Sequence, residues 1–272
     1  SMSEVTEGGA RLRAAVARAG RPLFMPYIMG GFPDPAVIAE HLAAIAPHAD
    51  LIELGIPFSD PLADGPTIQS AGQRALEAGT RPEHVIDMAA GLRDGPPIVL
   101  MTYVNIILAM GPRAFMERAA RAGVAGVIIP DVPIDEGDDL RRQARRAGLA
   151  VVPLAAPTTS DRRLAAIGRE ADGFVYCVSV AGVTGGDVAV GDELRGFLAR
   201  ARSHTDAPLA VGFGIRTAEQ VGAIGEIADG VIVASELIRR IGAAPDAPGA
   251  IAAITEFARG ARSVLEVARN PV

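Results

Sequence analysis

The chain has 272 residues, of which 49% are hydrophobic and 21% are charged, and its formal net charge is -6. This composition is typical of a globular protein with enough apolar side chains for one large domain or two small ones. All 26 basic residues are arginine. Without lysine the chain cannot form a Schiff base, hold pyridoxal phosphate or complete a Walker motif.

Other chemistries are excluded by what the chain lacks. The single cysteine, Cys177, has no partner for a disulfide or a zinc cluster, which favours a reducing cytoplasmic environment. The four histidines are scattered without metal-ligand spacing, so we expect no metal site. The acidic balance contains no basic block, which argues against a nucleic-acid partner.

A mean hydropathy of +0.28 raises the question of a membrane segment. The longest apolar stretch, 98–110, contains Thr102, Tyr103 and Asn105 and is shorter than the ~20 residues that a spanning helix needs. We therefore predict a buried strand that leaves the core, and no membrane partner. The first residues also lack the basic and apolar regions of a signal peptide.

In chain order, short apolar runs alternate with longer amphipathic runs rich in alanine, leucine and arginine. Eight apolar runs predict strands at 23–28, 50–54, 97–102, 125–129, 150–154, 173–178, 208–212 and 229–233. The amphipathic runs predict helices near 35–46, 67–78, 112–122, 136–147, 160–170, 191–203, 217–226 and 235–242. Further helices are expected at 9–19, 82–93 and 247–266.

The strands are almost continuously apolar, as in parallel strands that are covered on both faces. Eight strand–helix units predict an α/β fold, a (β/α)8 TIM barrel with extra N-terminal and C-terminal helices. An open doubly wound sheet is the alternative, but the first unit lacks a G-x-G-x-x-G motif. We expect residues 1–272 to form a single domain, with flexible ends at 1–8 and 267–272.

A carboxylate stands inside the second predicted strand. Alternation along this strand places Glu53 on the face opposite Ile52 and Leu54, so it points into the barrel mouth if these neighbours pack against helices. In a barrel the reactive groups lie at the carboxyl ends of the strands. Burial there would raise the pKa of Glu53 and suit it to proton exchange near neutral pH. A structural glutamate beside the Gly55 turn is the alternative.

The loop that follows, 56–66, contains three prolines and two more carboxylates, Asp60 and Asp64. A stiff and partly apolar loop of this length is more than a connection requires. Either aspartate could instead initiate a turn, because Asp60 precedes Pro61 and Asp64 precedes Gly65.

Two glycine-rich segments follow the sixth and seventh predicted strands, at 181–186 and 212–217, and Ala234-Ser235 follows the eighth at the start of a helix. Glycine allows backbone amides to approach an anion, and the N-terminus of a helix offers unpaired N–H groups. Their position after the last strands favours a barrel that binds phosphate, although glycine also serves in ordinary turns.

Five motifs carry a family resemblance: ELGIPFSDPLADGPTIQ at 53–69, MTYVN at 101–105, PDVP at 130–133, GVTG at 182–185 and GFGI at 212–215. Together they resemble the tryptophan synthase alpha chain family over about residues 9–266. The resemblance implies a lyase of L-tryptophan biosynthesis that cleaves indole-3-glycerol phosphate to indole and glyceraldehyde 3-phosphate. Glu53 then matches the catalytic acid/base, and Asp64 matches the carboxylate that accepts the indole N–H and stabilises positive charge on the ring.

The resemblance also implies binding roles. The positions around the indole pocket match Phe24, Met101, Tyr103, Ile128 and Tyr176, although core packing is an equal alternative for these side chains. The phosphate site matches Gly185, Gly214, Ala234 and Ser235. Thr184 matches a loop residue that contacts the second-strand aspartate on closure.

In this family a beta chain that carries pyridoxal phosphate receives the indole. The resemblance therefore implies an alpha-beta-beta-alpha heterotetramer, with the cofactor in the beta chain and none in this chain. The interface positions match Pro57, Asp60, Asn105 and Pro133. Alternatives are a stand-alone lyase that releases free indole and a chain that acts chiefly as an allosteric activator of a beta chain.

Some positions depart from the family pattern. Val180 and Ala181 replace the arginine or other polar or larger residues that often begin the sixth loop, and Ala234 replaces a glycine of the phosphate site. The first loop, 28–33, also differs from many members. None of these positions is one of the two matched carboxylates.

Overall fold

The structure, a computed structural model, describes residues 5–179, 191–212 and 214–268. Within these ranges the strands form one parallel sheet: β1 (Leu23–Met29), β2 (Ile52–Gly55), β3 (Ile98–Met101), β4 (Gly126–Ile128), β5 (Ala150–Val151), β6 (Leu154–Ala155), β7 (Val175–Val178), β8 (Leu209–Gly212) and β9 (Gly230–Val233). The first six helices are α1 (Glu7–Ala19), α2 (Ile38–Ile45), α3 (Pro66–Glu77), α4 (Pro82–Met88), α5 (Val104–Met110) and α6 (Pro112–Arg121). The other six are α7 (Asp138–Arg146), α8 (Asp161–Glu170), α9 (Asp192–Arg202), α10 (Ala218–Gly225), α11 (Ser235–Ala243) and α12 (Ala247–Val267).

The sheet closes on itself at the fifth predicted strand, which consists of two short pieces, β5 and β6. These pieces stand at opposite ends of the hydrogen-bonded order β5-β4-β3-β2-β1-β9-β8-β7-β6, yet they are neighbours in the chain. Val152 N–H donates to Val127 O at 3.0 Å, and Tyr176 N–H donates to Pro153 O at 2.9 Å. Pro153 has no N–H for the ladder, which interrupts the strand. Counting β5 and β6 as one position gives eight strands, so the predicted (β/α)8 barrel is confirmed.

Side-chain alternation divides the apolar core into two parts. The outer part, between strands and helices, contains Phe24, Ile28, Ile52 and Leu54. The interior of the barrel contains Leu23, Met25, Leu51, Val99, Ala125, Ile128, Ala150, Val152, Phe174, Ala210 and Ile232. Period-two alternation therefore decides which side chains face a ligand at the mouth and which face the helices.

The extra helix α1 closes the amino-terminal end of the barrel. Its Leu12 belongs to the interior cluster, and Gly8 N–H donates to Gly148 O at 2.8 Å. A Cβ on Gly8 would lie 1.8 Å from Ala125 O, so only glycine permits this close approach. Glu7 and Gly8, which we assigned to a flexible end, are therefore helical.

The stretch 98–110 is not one extended strand, which corrects the sequence prediction. Strand β3 ends at Met101 and helix α5 begins at Val104. The Asp131 carboxylate accepts the Val104 N–H at 3.0 Å, and this contact satisfies a free donor at the start of α5. Asp131 follows β4, so the loops after β3 and β4 are joined at the carboxyl end of the barrel.

The C-terminal helix α12 covers the outside of β1. Asp246 caps it by accepting the Gly249 N–H at 2.8 Å, and Phe257 packs against Phe24 with ring centroids 6.5 Å apart. None of the helices in the described ranges is both long and apolar enough to cross a bilayer.

Candidate active site

Glu53 lies on β2 with its side chain inside the barrel. It is 2% exposed, and its strand neighbours Ile52 and Leu54 pack into the outer cluster on the opposite face. The parallel register pairs Glu53 with Tyr27 of β1. Burial, and to a smaller extent the charge of Asp64, raises the pKa of the Glu53 carboxyl to about 8. Glu53 is therefore mostly protonated at neutral pH.

Asp64 is held by the loop between β2 and α3. Its N–H donates to Pro61 O at 3.0 Å, and the Gln69 side chain donates to its carbonyl at 2.8 Å. Burial raises the pKa of the half-buried Asp64 carboxyl to about 6, while a hydrogen bond from Tyr103 opposes the rise. Asp64 is therefore mostly ionised at neutral pH, unlike Glu53.

Tyr103 fixes the position of the Asp64 loop. Its hydroxyl donates to the Asp64 carboxylate and accepts the Ala63 N–H at 3.1 Å. The Tyr103 ring stacks on Phe58 with centroids 5.2 Å apart and an interplanar angle of 26°. Burial raises the pKa of the Tyr103 phenol far above its usual range, so it remains a neutral hydrogen-bond donor.

Two glycines at strand ends make room for tyrosines beside Glu53. A Cβ on Gly55 would lie 1.9 Å from the Tyr27 hydroxyl, and a Cβ on Gly212 would lie 2.5 Å from the Tyr176 ring. Burial raises the pKa of both phenols, and the charges of Glu53 and Asp64 raise it further. Both phenols are therefore neutral and close enough to the two carboxylates to sense their charge.

The predicted indole-pocket residues separate into two groups. Met101 and Ile128 are register partners on β3 and β4, and both pack with the interior cluster, as does Tyr176. Phe24 is fully buried and packs against Phe257 of α12, outside the barrel. Alternation along β1 places it on the face opposite Tyr27, the register partner of Glu53, which corrects its assignment to the pocket.

Tyr27 takes the position that we expected for Phe24. The two residues are three apart on β1, so they point to opposite faces. Only Tyr27 is aligned with Glu53. The sequence contained this signal, because the same alternation that oriented Glu53 also orients Tyr27.

The predicted phosphate residues lie after β8 and β9. Gly214 and Ser235 line a cleft of about 410 Å³ together with Thr67 and Arg216. Ala234, which replaces the family's glycine, precedes α11 with φ -118° and ψ -73°. Its φ is negative, so alanine causes no left-handed strain there. Thr184 and Gly185 lie outside the described residues, as do Val180 and Ala181.

Three of the four residues predicted at a partner interface are exposed. Asp60 follows β2, Asn105 lies in α5 and Pro133 follows β4, while Pro57 is buried in this chain. The bond from Val104 N–H to Asp131 links the start of α5, which carries Asn105, to the loop after β4, which carries Pro133. These three side chains thus lie at the same carboxyl end of the barrel as Glu53.

The described ranges bring no group of three or more His, Cys, Asp or Glu side chains together in a way that could hold a metal ion. The chemistry of the described residues is that of a protonated carboxyl and an ionised carboxylate in a partly apolar mouth. A (β/α)8 barrel with a proton donor and a carboxylate at the carboxyl end of its strands has the arrangement of a barrel enzyme.

Comparisons with known proteins identify the branch of this class. The family model described as tryptophan synthase alpha chain matches residues 14–265. The tryptophan synthase alpha chain of Carboxydothermus hydrogenoformans is 47% identical over 82% of this chain and 84% of its own length. That of Deinococcus radiodurans is 43% identical over 94% of this chain and 96% of its own length.

Solved structures agree with the sequence comparisons. The crystal structure of the tryptophan synthase alpha chain from Legionella pneumophila superposes with a TM-score of 0.86 at 33% identity, covering 97% of this chain and 98% of that one. A structure of Mycobacterium tuberculosis tryptophan synthase gives a TM-score of 0.84 at 33% identity, covering 95% and 99%. The chain belongs to the tryptophan synthase alpha chain family.

Proposed function

We propose that this chain cleaves indole-3-glycerol phosphate to indole and glyceraldehyde 3-phosphate, the carbon–carbon lyase step of tryptophan synthase. The observation that carries the proposal is the pair of carboxylates with different protonation at the mouth. Glu53 has a pKa of about 8 and Asp64 has a pKa of about 6. Membership of the tryptophan synthase alpha chain family supports the same reaction.

Glu53 handles both protons of the cleavage. Its carboxyl donates a proton to the indole ring carbon that bears the glycerol chain, which leaves a positively charged indolenine. The resulting carboxylate accepts the proton of the adjacent glycerol hydroxyl as the carbon–carbon bond breaks. The bond electrons neutralise the ring, the hydroxyl becomes the aldehyde, and Glu53 is again protonated.

Asp64 stabilises the charge that forms between these two transfers. An ionised carboxylate that accepts the indole N–H lowers the energy of the indolenine cation. The Tyr103 hydroxyl favours the ionised form of Asp64 and holds the Asp64 loop through Ala63. The substrate itself accepts the electrons, so the route needs no lysine, and the chain has none.

The remaining roles follow from membership of the tryptophan synthase alpha chain family. We assign the walls of the indole pocket to Met101, Tyr103, Ile128 and Tyr176. The phosphate is assigned to the backbone around Gly214, Ala234 and Ser235 together with Gly185. Thr184 is assigned to loop closure over Asp64, which would exclude water from the cation.

We further propose that the chain works with a beta chain in an alpha-beta-beta-alpha heterotetramer. Pyridoxal phosphate would be bound by the beta chain, while Asp60, Asn105 and Pro133 would contact that partner and the buried Pro57 would support the contacting loop. The proposed setting is the cytoplasm, and the proposed organisation is a single domain.

The decisive experiment measures indole release from indole-3-glycerol phosphate, with and without a beta chain. Replacing Glu53 with glutamine (Glu53→Gln) should lower kcat by about a hundredfold to ten-thousandfold, because general acid–base catalysis contributes about that much. Glu256→Gln removes an exposed glutamate of α12 and is the matched control. Near-normal release by Glu53→Gln would refute the mechanism.

The same assay separates the two alternative functions. High indole release by the chain alone would favour a stand-alone lyase. Negligible release alone, followed by a large increase when a beta chain is added, would favour an activating role.

A further inference from the structure

The cleft that holds Gly214 and Ser235 is rich in arginine. Its lining also contains Thr67, Arg216, Glu236, Arg239 and Arg240, so three arginines and one glutamate line a cleft of about 410 Å³. An excess of positive charge beside the proposed phosphate residues indicates that the cleft suits an anion.

Glu236 engages two of the three arginines. It is 3% exposed in the first turn of α11, and it accepts hydrogen bonds from Arg239 at 2.8 and 2.7 Å and from Arg240 at 2.7 Å. Burial raises the pKa of the Glu236 carboxyl, but the two arginines outweigh it and lower the pKa. These two guanidinium groups neutralise a carboxylate that would otherwise repel an anion at the start of α11.

Arg216 differs from these two arginines because its guanidinium has no acidic partner among the described residues. Its backbone is nevertheless fixed. The Arg216 N–H donates to the Gln220 side chain at 2.8 Å, Thr217 caps α10 by accepting the Gln220 N–H at 3.3 Å, and Ile215 is 1% exposed. The exposed side chain can therefore bind an anion without breaking an existing ion pair.

We propose that Arg216 is a specificity-determining residue that binds the phosphate group of the substrate, while Glu236 holds Arg239 and Arg240 in place. This inference rests on the proposed function, because it concerns the phosphate end of the same substrate. A guanidinium donates two parallel hydrogen bonds to phosphate oxygens, which a neutral side chain cannot reproduce. Arg216 thereby distinguishes a phosphorylated substrate from its unphosphorylated counterpart.

The test compares kcat and KM for indole-3-glycerol phosphate in Arg216→Gln and Arg216→Lys. Arg216→Gln should raise KM about three- to tenfold with kcat unchanged, since an exposed ion pair contributes to binding before and during the reaction alike. Arg216→Lys should recover part of the loss, because it keeps the charge without the fork. Arg81→Gln removes an exposed arginine that precedes α4, outside the cleft, and should leave both constants unchanged.

Binding of inorganic phosphate, measured by calorimetry, provides a readout that does not need turnover. Weaker phosphate binding by Arg216→Gln than by wild type and Arg81→Gln would support the inference. Equal binding and an equal KM in all three proteins would overturn it, as would a loss of kcat at constant KM. If wild type binds phosphate through Arg216 but releases no indole, the proposed function fails and the role of Arg216 in phosphate binding stands.

Discussion

Two regions of the barrel mouth shift the pKa of a carboxyl in opposite directions. We call them the Glu53 end, with Asp64 and Tyr103, and the Arg216 end, with Glu236, Arg239 and Arg240. Glu53 is 2% exposed among tyrosines and apolar side chains, and its pKa rises to about 8 because burial penalises its charge. Glu236, at the other end, is 3% exposed, but two arginines lower the pKa of its carboxyl. Similar solvent exposure thus accompanies opposite pKa shifts: Glu53 lies deep inside the barrel with no cationic partner among the described residues, whereas Glu236 lies beside two arginines at the surface of α11. Depth of burial and the neighbouring charges together decide which carboxyl keeps a proton.

This difference matches the two tasks that the mouth is proposed to perform. Proton transfer needs a group that can hold and release a proton near neutral pH. Binding of an anion needs fixed positive charge. The carboxylate that holds the arginines must therefore stay ionised near neutral pH. Substitutions at the Glu53 end should therefore lower kcat, and substitutions at the Arg216 end should raise KM.

After Glu53→Gln, the largest effect on kcat is expected at Asp64. Asp64→Asn removes the negative charge that stabilises the indolenine cation and should lower kcat by about a hundred- to a thousandfold, as when a preorganised stabilising group is lost. It should also lower the pKa of Glu53, because Asp64 contributes to raising it. Steady-state kinetics over pH measures both effects.

Asp94→Asn provides the control for this prediction, because Asp94 is exposed and lies outside the mouth. Its pH profile should coincide with that of wild type. An Asp64→Asn variant with near-normal kcat would remove Asp64 from the mechanism. If the basic limb of the Asp64→Asn pH profile stays where it is in wild type, the charge of Asp64 does not contribute to the pKa of Glu53.

Period-two alternation and the strand count predicted the barrel and the inward direction of Glu53, because both depend on local sequence. The helix 104–110 was missed because its residues are apolar apart from Asn105 and the group that satisfies its first donor, Asp131, is distant in sequence. Phe24 was misassigned because a motif was transferred without its strand register. The bond between Tyr103 and the Asp64 loop joins two segments 40 residues apart, and no sequence period reports such a contact.

The pKa of Glu53 also predicts how stability depends on pH. Its folded-state value of about 8 lies above the ordinary value of 4.5, so its stabilising contribution is complete below pH 4.5 and is lost as pH rises through 8. Asp64 has a pKa of about 6, so the change in the free energy of unfolding between pH 6 and pH 9 comes mainly from Glu53. Relative to Glu53→Gln, wild type should lose about 2–3 kcal/mol of unfolding free energy across this window.

Urea unfolding of both proteins at pH 6 and pH 9 measures this difference. Comparing the change between the two pH values cancels any constant effect of the substitution itself. If the two proteins lose stability in parallel, Glu53 does not carry the raised pKa, and the contrast with Glu236 disappears.

The smallest effect is expected at Tyr103, where a single hydroxyl joins Asp64 to the backbone of its own loop. Tyr103→Phe keeps the stacking on Phe58 but removes the donor to Asp64 and the acceptor of the Ala63 N–H. Because that hydrogen bond lowers the pKa of Asp64, its loss should move the acid limb of kcat/KM upward from about pH 6, and the rate at neutral pH should fall about three- to tenfold. An acid limb that stays in place would mean that Tyr103 positions the loop without tuning Asp64. The pKa of Asp64 would then be set by burial alone.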